Sequence, residues 1–424
     1  MTTAAENEML TRVGPGTPMG ELFRRYWIPA VLSEEVPEPD CPPVRTKLLC
    51  EDLVAFRDSS GRVGLLAENC AHRRASLFYG RNEEGGLRCI YHGWKYGVDG
   101  TILDTPPEPE ESMIKHHTKL TAYPCREVNG VVWTYMGPPA LEPPLPDYPW
   151  ITLPADHVDV GCKFFLECNW LQCLEGDNDS IHSAYLHYRR RAPSDGQAMR
   201  MAGESEVART ARRRSASVDF DINEWGVRAW TKYPIDDERI FVRTNTFVMP
   251  CAGNTPRGRN PLNEAIHTIY QVPADDYSNW RYDFEVYWDQ TTDGSYGRAQ
   301  REEVTLPGFL KKMNRQNDYM IDRARQKSGE IYCGIDAGNH TQDACVTETM
   351  GPITDRTQEH LGVSDGHVIE LRTYLLNAIK QMQDGKDPPG IFRNPEQNKI
   401  GNFVHMVTAA VKKGEEYRDL LPRV

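Results

Sequence analysis

The chain has 424 residues, of which 39% are hydrophobic and 26% charged, with a formal net charge of −12. This length is too great for one small core and predicts two domains, and the composition is that of an ordinary folded protein rather than a disordered one. The acidic balance argues against a nucleic-acid binder, no run approaches the roughly 18 to 20 apolar residues that span a bilayer, and the acidic start lacks the basic and apolar regions of a signal peptide. Eleven cysteines, an odd and scattered set, fit a reducing cytoplasm better than a disulfide framework. Two basic runs, 189–191 and 212–214, read as solvated or ion-paired surface, with anion recognition as the alternative.

In chain order, 7–27 reads as a helical segment broken by Gly14-Pro15-Gly16, with Thr17 able to cap a second piece. Short strands follow at 47–50, 53–56, 63–67, 87–90 and 131–135, separated by turn signals such as Asp99-Gly100 and Asn129-Gly130. A Pro-rich stretch, 137–149, reads as a linker. Beyond it, 164–168 looks like a strand and 170–186 like a helix. Strands are expected at 218–222, 227–231, 239–249, 266–272 and 280–288, and helices at 311–327 and 368–385. The expected class is α+β: a helical segment 1–43, an antiparallel β domain 44–150, and an α+β domain 151–424.

Two sets of residues carry chemistry. Cys70 and His72, then Cys89 and His92, form C-x-H, sixteen residues, C-x-x-H. Two thiolates and two imidazoles suit a [2Fe–2S] centre with one iron on cysteine and the other on histidine. A Cys₂His₂ zinc site is the competitor, but C-x-H is tighter than the usual zinc knuckle, and Gly93-Trp94-Lys95-Tyr96 offers an apolar cover suited to a redox centre. The second set is Asp179, His182 and His187. Two histidines and a carboxylate suit a non-haem iron that keeps open positions. Five residues apart, His182 and His187 diverge by about 140° on an ideal helix, so a shared metal needs a helix that is distorted or that ends. Asp179 could hold the second ring nitrogen of His182. Asp177, Asp318, Asp322, Glu330, Asp336, Asp343 and Glu348 are all candidates for the third ligand, and spacing does not choose among them.

The segments Cys70-Ala-His-Arg-Arg-Ala-Ser-Leu, Gly80-Arg and Cys89-Ile-Tyr-His-Gly-Trp-Lys-Tyr resemble the Rieske signature of ring-hydroxylating oxygenases. The run from Asn169 to His187 resembles their mononuclear iron motif. The resemblance covers nearly the whole chain, near the phthalate dioxygenase-like branch that includes dehydrodivanillate O-demethylase-type enzymes. It departs in small ways: Ala71 stands where proline is common, and Arg74 where glycine is frequent. The resemblance implies that Cys70, His72, Cys89 and His92 hold the cluster and that His182 and His187 hold Fe(II). Through the segment beginning Thr341-Gln-Asp, it makes Asp343 the third ligand. It also implies a Rieske domain at 44–150 and a helix-grip-type catalytic domain at 151–424, an antiparallel sheet around a long helix, on which 1–43 packs. In the family the two centres of one subunit lie too far apart for efficient transfer. Asp179 would therefore bridge His92 of one chain to His182 of the next, in a trimer or in stacked trimers forming a hexamer.

The implied activity is that of a terminal oxygenase, with O₂ as co-substrate and electrons from NADH delivered by a separate reductase of flavin or ferredoxin type. The expected substrate is an aromatic carboxylic acid. The expected reaction is O-demethylation of a methoxylated lignin-derived acid, the alternative being cis-dihydroxylation of a phthalate- or benzoate-type acid. A carboxylate calls for an arginine fork near the iron. Arg243, in a strand-like run, is the candidate, with Arg209 and Arg228 as rivals. A different class, a Rieske electron carrier with a non-catalytic second domain, remains as the competing reading.

Overall fold

The structure is a computed structural model describing residues 2–190, 215–257 and 265–421. The chain divides into two compact units. One comprises Val13–Leu145 with Val272–Asp275, and the other Pro146–Gln271 and the residues from Asp276 onward, joined by the N-terminal residues up to Arg12.

The first unit is built of short antiparallel sheets. Val44–Leu48, Glu51–Arg57, Val63–Ala67 and Ala122–Tyr123 form one, and Arg81–Glu83, Gly86–Arg88, Lys95–Tyr96 and Ile102–Asp104 form another. The strand expected at 47–50 stops at Leu48, because Leu49 and Cys50 turn the chain with φ of +49° and +66°. A third sheet joins Trp27–Leu32, Val131–Tyr135 and Cys125–Val128. Trp27 pairs with Tyr135 and Leu32 with Val131, so the segment from Val13 to residue 43 belongs to this unit, although the sequence reading put 1–43 with the catalytic domain. The expected cap is present: the Thr17 side chain accepts the Gly20 N–H ahead of the helix Pro18–Phe23.

The second unit is an antiparallel sheet wrapped on helices. Its strands run Ser217–Ile222, Gly226–Pro234, Arg239–Val248, Ala252–Arg257, the part of Ala265–Asp275 up to Gln271, Ser278–Tyr287 and Val158–Leu166, with Leu310–Lys311 and Val304–Thr305 at the far edge. Thr408–Lys412 pairs with Arg239–Val248. Three helices matter for the site: α1 (Trp170–Asn178), α2 (Asn339–Thr349) and α3 (Gly366–Gln383). Alternate residues of Arg239–Val248 face this helical layer. Phe241 forms with Tyr233 a cluster against which Ile181 packs, Asn245 donates to the Asp177 carbonyl at 3.2 Å, and the Phe247 ring meets Tyr374 of α3 at 6.0 Å. The expected α+β, helix-grip arrangement is what the chain adopts.

The structure departs from the sequence reading at two helices. Residues 311–327 are not one helix. An irregular turn at Arg315–Met320, with Asp318 and Tyr319 at φ of +51°, precedes the short helix Arg323–Ser328. The side chains of Asn314 and Asp322 take nearby backbone N–H groups, which starts new turns and prevents continuation. α2 shows no apolar stripe in the sequence because its buried positions are largely polar, among them His340, Thr341, Gln342 and Glu348. No helix of the described residues is long and apolar enough to cross a membrane.

Candidate metal centres

In the first unit, Cys70 to Ala75 and Cys89 to Trp94 form two matching tight loops. Cys70 N–H donates to the Ala75 carbonyl at 2.9 Å and Cys89 N–H to the Trp94 carbonyl at 2.8 Å. Each loop needs one left-handed residue, Arg74 at φ +64° and Gly93 at φ +76°. The family's frequent glycine at the Arg74 position follows from that backbone, since side-chain-bearing residues rarely sit there. Arg74 is held by Asn69, whose amide donates to the Arg74 carbonyl at 3.2 Å.

Both thiols are 2% exposed and belong to a core cluster with Val54, Phe56, Leu66 and Leu87. Ala71 N–H donates to the Tyr96 hydroxyl at 3.1 Å, and that hydroxyl shares a hydrogen bond with Cys70 Sγ at 3.0 Å. Burial raises the Cys89 thiol, whereas the N–H groups of Tyr91 and His92 favour its thiolate. The rings of His72 and His92 lie 4.6 Å apart, and His72 stacks on Trp94. His72 Nδ1 is buried without a hydrogen-bond partner among the described residues, as expected of a nitrogen reserved for a metal. Two thiols inside the core and two imidazoles on its rim fit a [2Fe–2S] group.

In the second unit, the Asn169 side chain caps α1 by accepting Leu171 N–H at 3.1 Å. α1 ends at Asn178 rather than continuing to 186. The Asp179 carboxylate accepts the N–H of Ile181 at 2.6 Å and of His182 at 3.2 Å, competing with the helix ladder. The turn His182–Ala184 follows, and Leu186 N–H donates to the His182 carbonyl at 2.8 Å, folding His187 back toward His182. Their Nε2 atoms are then 3.2 Å apart. Asp343, on α2, places Oδ1 at 3.1 Å from His187 Nε2 and 3.6 Å from His182 Nε2.

Ligand atoms of these three residues all lie within 4.8 Å of one another. An N–N separation of 3.2 Å is that of neighbouring ligands on one ion with bonds of about 2.1 Å. Two imidazoles and one carboxylate on one side leave the other side open, the donor set of a non-haem Fe(II) oxygenase. Of the sequence candidates, Asp343 alone joins the two histidines. Asp177 accepts from Gln271 and pairs with Arg281, and Asp336 pairs with Arg189 and Arg325.

The supporting residues were less visible in the sequence. His187 Nδ1–H donates to Gln342 Oε1 at 2.7 Å, and Gln342 Nε2 donates to the Ile335 carbonyl at 2.8 Å. This leaves the His187 Nε2 lone pair for a metal. Arg281 is 3% exposed and pairs with Asp283 at 2.8 Å, Asp177 at 3.3 Å and Asp343 at 3.8 Å. Burial pushes Asp177 up to about 7 despite Arg281. Burial also opposes the charge of Asp343, but His187, His182 and Arg281 hold it well below the usual carboxylate range. The signal for Arg281 lay in the alternation of Arg281, Asp283 and Glu285 with Trp280, Tyr282 and Phe284, a strand charged on one face and buried on both.

A cavity of about 200 Å³ beside the triad is lined by Asp179, His182, Asp343, His367, Arg281 and Arg372, among others. Arg243 is not among its lining residues. Arg243 stands between Phe241 and Asn245 on the strand face that packs on 177–181. Arg228 is committed elsewhere, donating to the Asn402 carbonyl at 2.6 Å. Arg209, the run 212–214 and Arg191 lie outside the described residues, while Arg189 is paired with Asp336 at 2.6 Å.

The two sites together define a protein that couples an iron–sulfur group to a 2-His-1-carboxylate iron. Comparison with known proteins agrees. The Rieske [2Fe-2S] domain family matches residues 26–124, and the family described as LigXa C-terminal domain like matches residues 134–422. The phthalate 4,5-dioxygenase oxygenase subunit of Pseudomonas putida is 38% identical, over 100% of this chain and 95% of its own length. The 3-chlorobenzoate-3,4-dioxygenase oxygenase subunit of Comamonas testosteroni is 35% identical, over 92% of each. The 5,5'-dehydrodivanillate O-demethylase oxygenase subunit of a Sphingobium species is 31% identical, over 94% of this chain and 85% of its own. Among solved structures, dicamba monooxygenase bound to dicamba shares the fold, with a TM-score of 0.57 at 17% identity over 86% of this chain and 99% of that one. The chain belongs to the Rieske non-haem iron oxygenases, as an oxygenase component. It is therefore an enzyme rather than an electron carrier with a silent second domain, and the zinc reading of the first site gives way to [2Fe–2S].

Proposed function

We propose that this chain oxidises an aromatic carboxylic acid, with Cys70, His72, Cys89 and His92 holding the cluster and His182, His187 and Asp343 holding Fe(II). The convergence of His182, His187 and Asp343 carries this reading, since residues 156 positions apart in sequence, His187 and Asp343, meet at 3.1 Å. When bound, the cluster supplies single electrons and the triad iron activates oxygen beside the substrate. Gln342 fixes the ring of His187, and Asp179 fixes that of His182. Asp179 also serves as the bridge to His92 of a neighbouring copy, which calls for a trimer or stacked trimers. Electrons come from NADH through a separate flavin- or ferredoxin-type reductase. The odd, scattered set of eleven cysteines supports a cytoplasmic setting.

Arg243 is the proposed partner of the substrate carboxylate. Its strand face packs on the segment that ends in His182, and a guanidinium there forms a two-point contact with a carboxylate. The names of the phthalate and 3-chlorobenzoate relatives favour dioxygenation of the ring of an aryl acid. O-demethylation, the expectation from sequence, is the second reading and is favoured by the dehydrodivanillate relative. The test is turnover of phthalate, 3-chlorobenzoate and dehydrodivanillate with a surrogate reductase. A diol assigns dioxygenation and formaldehyde assigns O-demethylation, whereas no oxidation of any aryl acid would refute the substrate class.

A further inference from the structure

Asp179 is held on two sides. Its Oδ1 accepts Ile181 N–H at 2.6 Å, and its Oδ2 accepts His182 N–H at 3.2 Å and faces His182 Nδ1 at 3.4 Å. An ionised carboxylate offers about four acceptor directions, so three are accounted for and one, on Oδ1, is left. His367 faces it. This residue is the second of α3, is 5% exposed, and lines the same cavity as Asp179 and His182. Its Nε2 is buried without a hydrogen-bond partner among the described residues and lies 3.6 Å from Asp179 Oδ1. That distance is too long for a hydrogen bond, and an approach of roughly 0.6 Å would close it.

We infer that His367 is a positioning residue for Asp179, holding the carboxylate oxygen that points away from His182. The inference rests on the reading of Asp179 as the electron bridge and adds a residue that the motif does not contain. A buried imidazole nitrogen with no acceptor is costly, and Asp179 Oδ1 is the acceptor it faces. With His367 on Oδ1, the carboxylate plane is pinned at both ends. Oδ2 is then kept toward His182 Nδ1, which sets the ring orientation and hence the direction of its Nε2. Without His367, Oδ1 keeps only the Ile181 N–H, and rotation of the carboxylate releases the His182 ring.

The test uses full-length holoenzyme carrying H367L, H367Q or H367N, with D179N and the H367L/D179N double variant alongside. Stopped-flow absorbance follows reoxidation of the dithionite-reduced cluster by oxygen, in the presence of whichever of phthalate, 3-chlorobenzoate and dehydrodivanillate is turned over. Electron paramagnetic resonance with nitric oxide as probe of the ferrous triad site gives a second readout that needs no substrate. H367L is expected to keep its cluster spectrum, to reoxidise about tenfold more slowly or worse, and to change the nitric oxide signal in the same sense as D179N. H367Q, whose amide N–H reaches the same oxygen, recovers most of the rate; H367N, one carbon shorter, does not. The double variant is no slower than D179N. If H367L behaves as wild type by both readouts while D179N is slow, the His367 inference falls and the bridge stands. If D179N transfers electrons at the wild-type rate, the bridge falls and the inference with it. Should H367L fail to fold, H367Q and H367N decide, and equal rates in the two overturn the inference.

Discussion

The two metal regions solve the same problem, holding an ion at a fixed place, by opposite means. The Cys70–His92 region uses backbone. Its ligands lie within 23 residues, on two tight loops whose N–H groups are tied to the carbonyls of Ala75 and Trp94, with an apolar core beneath. The triad uses side chains. Its ligands come from the turn after α1 and from α2, and are kept in register by Gln342, Asp179 and the Arg281 ion network. The first arrangement tolerates little change within a short stretch. The second spreads its tolerance over many partners, each of modest weight.

This contrast sets the expected size of each perturbation. Cys89→Ser removes a thiolate from the core, so the cluster's visible absorption and all turnover are lost together; a variant that retains both would break the account of that pocket. Asp343→Asn also abolishes turnover, but with the cluster spectrum intact, and iron analysis drops by about one ion per chain. Loss of cluster absorption in that variant would mean that the two regions are not separable. Acid exposes the network on the triad side. Burial, and then Lys311, holds His340 down to about 4, and its partner Glu303 is held at about 2. Both values lie below the ordinary ones, so at these two groups the unfolded chain binds more protons, and the stability they contribute falls as pH drops from about 6.5 through 4 toward 2. The His340 share is about 3 kcal/mol, but Asp177, held up at about 7, works the other way over the same range. Calorimetry should therefore compare the wild type with His340→Gln: the wild type loses ground to the variant as pH drops from about 6.5 to about 4, and a constant difference between the two midpoints would contradict it. Gln342→Leu is the mildest change. It frees His187 Nδ1 and is expected to weaken ferrous iron binding about 10- to 100-fold in a chelator competition, leaving the cluster untouched.

The same contrast explains what was legible in the sequence. The cluster site could be read from spacing because all four ligands and both turn residues sit in one stretch. The strands around it were legible as short apolar runs between turn signals, apart from ends such as Leu49-Cys50, where the chain turns without glycine. His182 and His187 were legible as a pair that required a helix to end, and the structure supplies the reason in the Asp179 carboxylate. Asp343 was not legible from spacing. It lies on a helix whose buried face is polar, so no apolar period marks it, and resemblance alone singled it out. Gln342 and His367 were invisible for a related reason. Each matters through partners brought in by the sheet and helices from more than 90 positions away, and nothing local distinguishes such residues from surface polar ones.

The central claim is that one chain holds two separate iron centres, one on cysteine and histidine and one on the triad. Quantitation of iron and acid-labile sulfide in the purified holoprotein tests it most directly. The account predicts about three irons and about two sulfides per chain. Two irons and two sulfides in a fully active preparation would contradict the triad as an iron site, and an active preparation without sulfide would contradict the cluster.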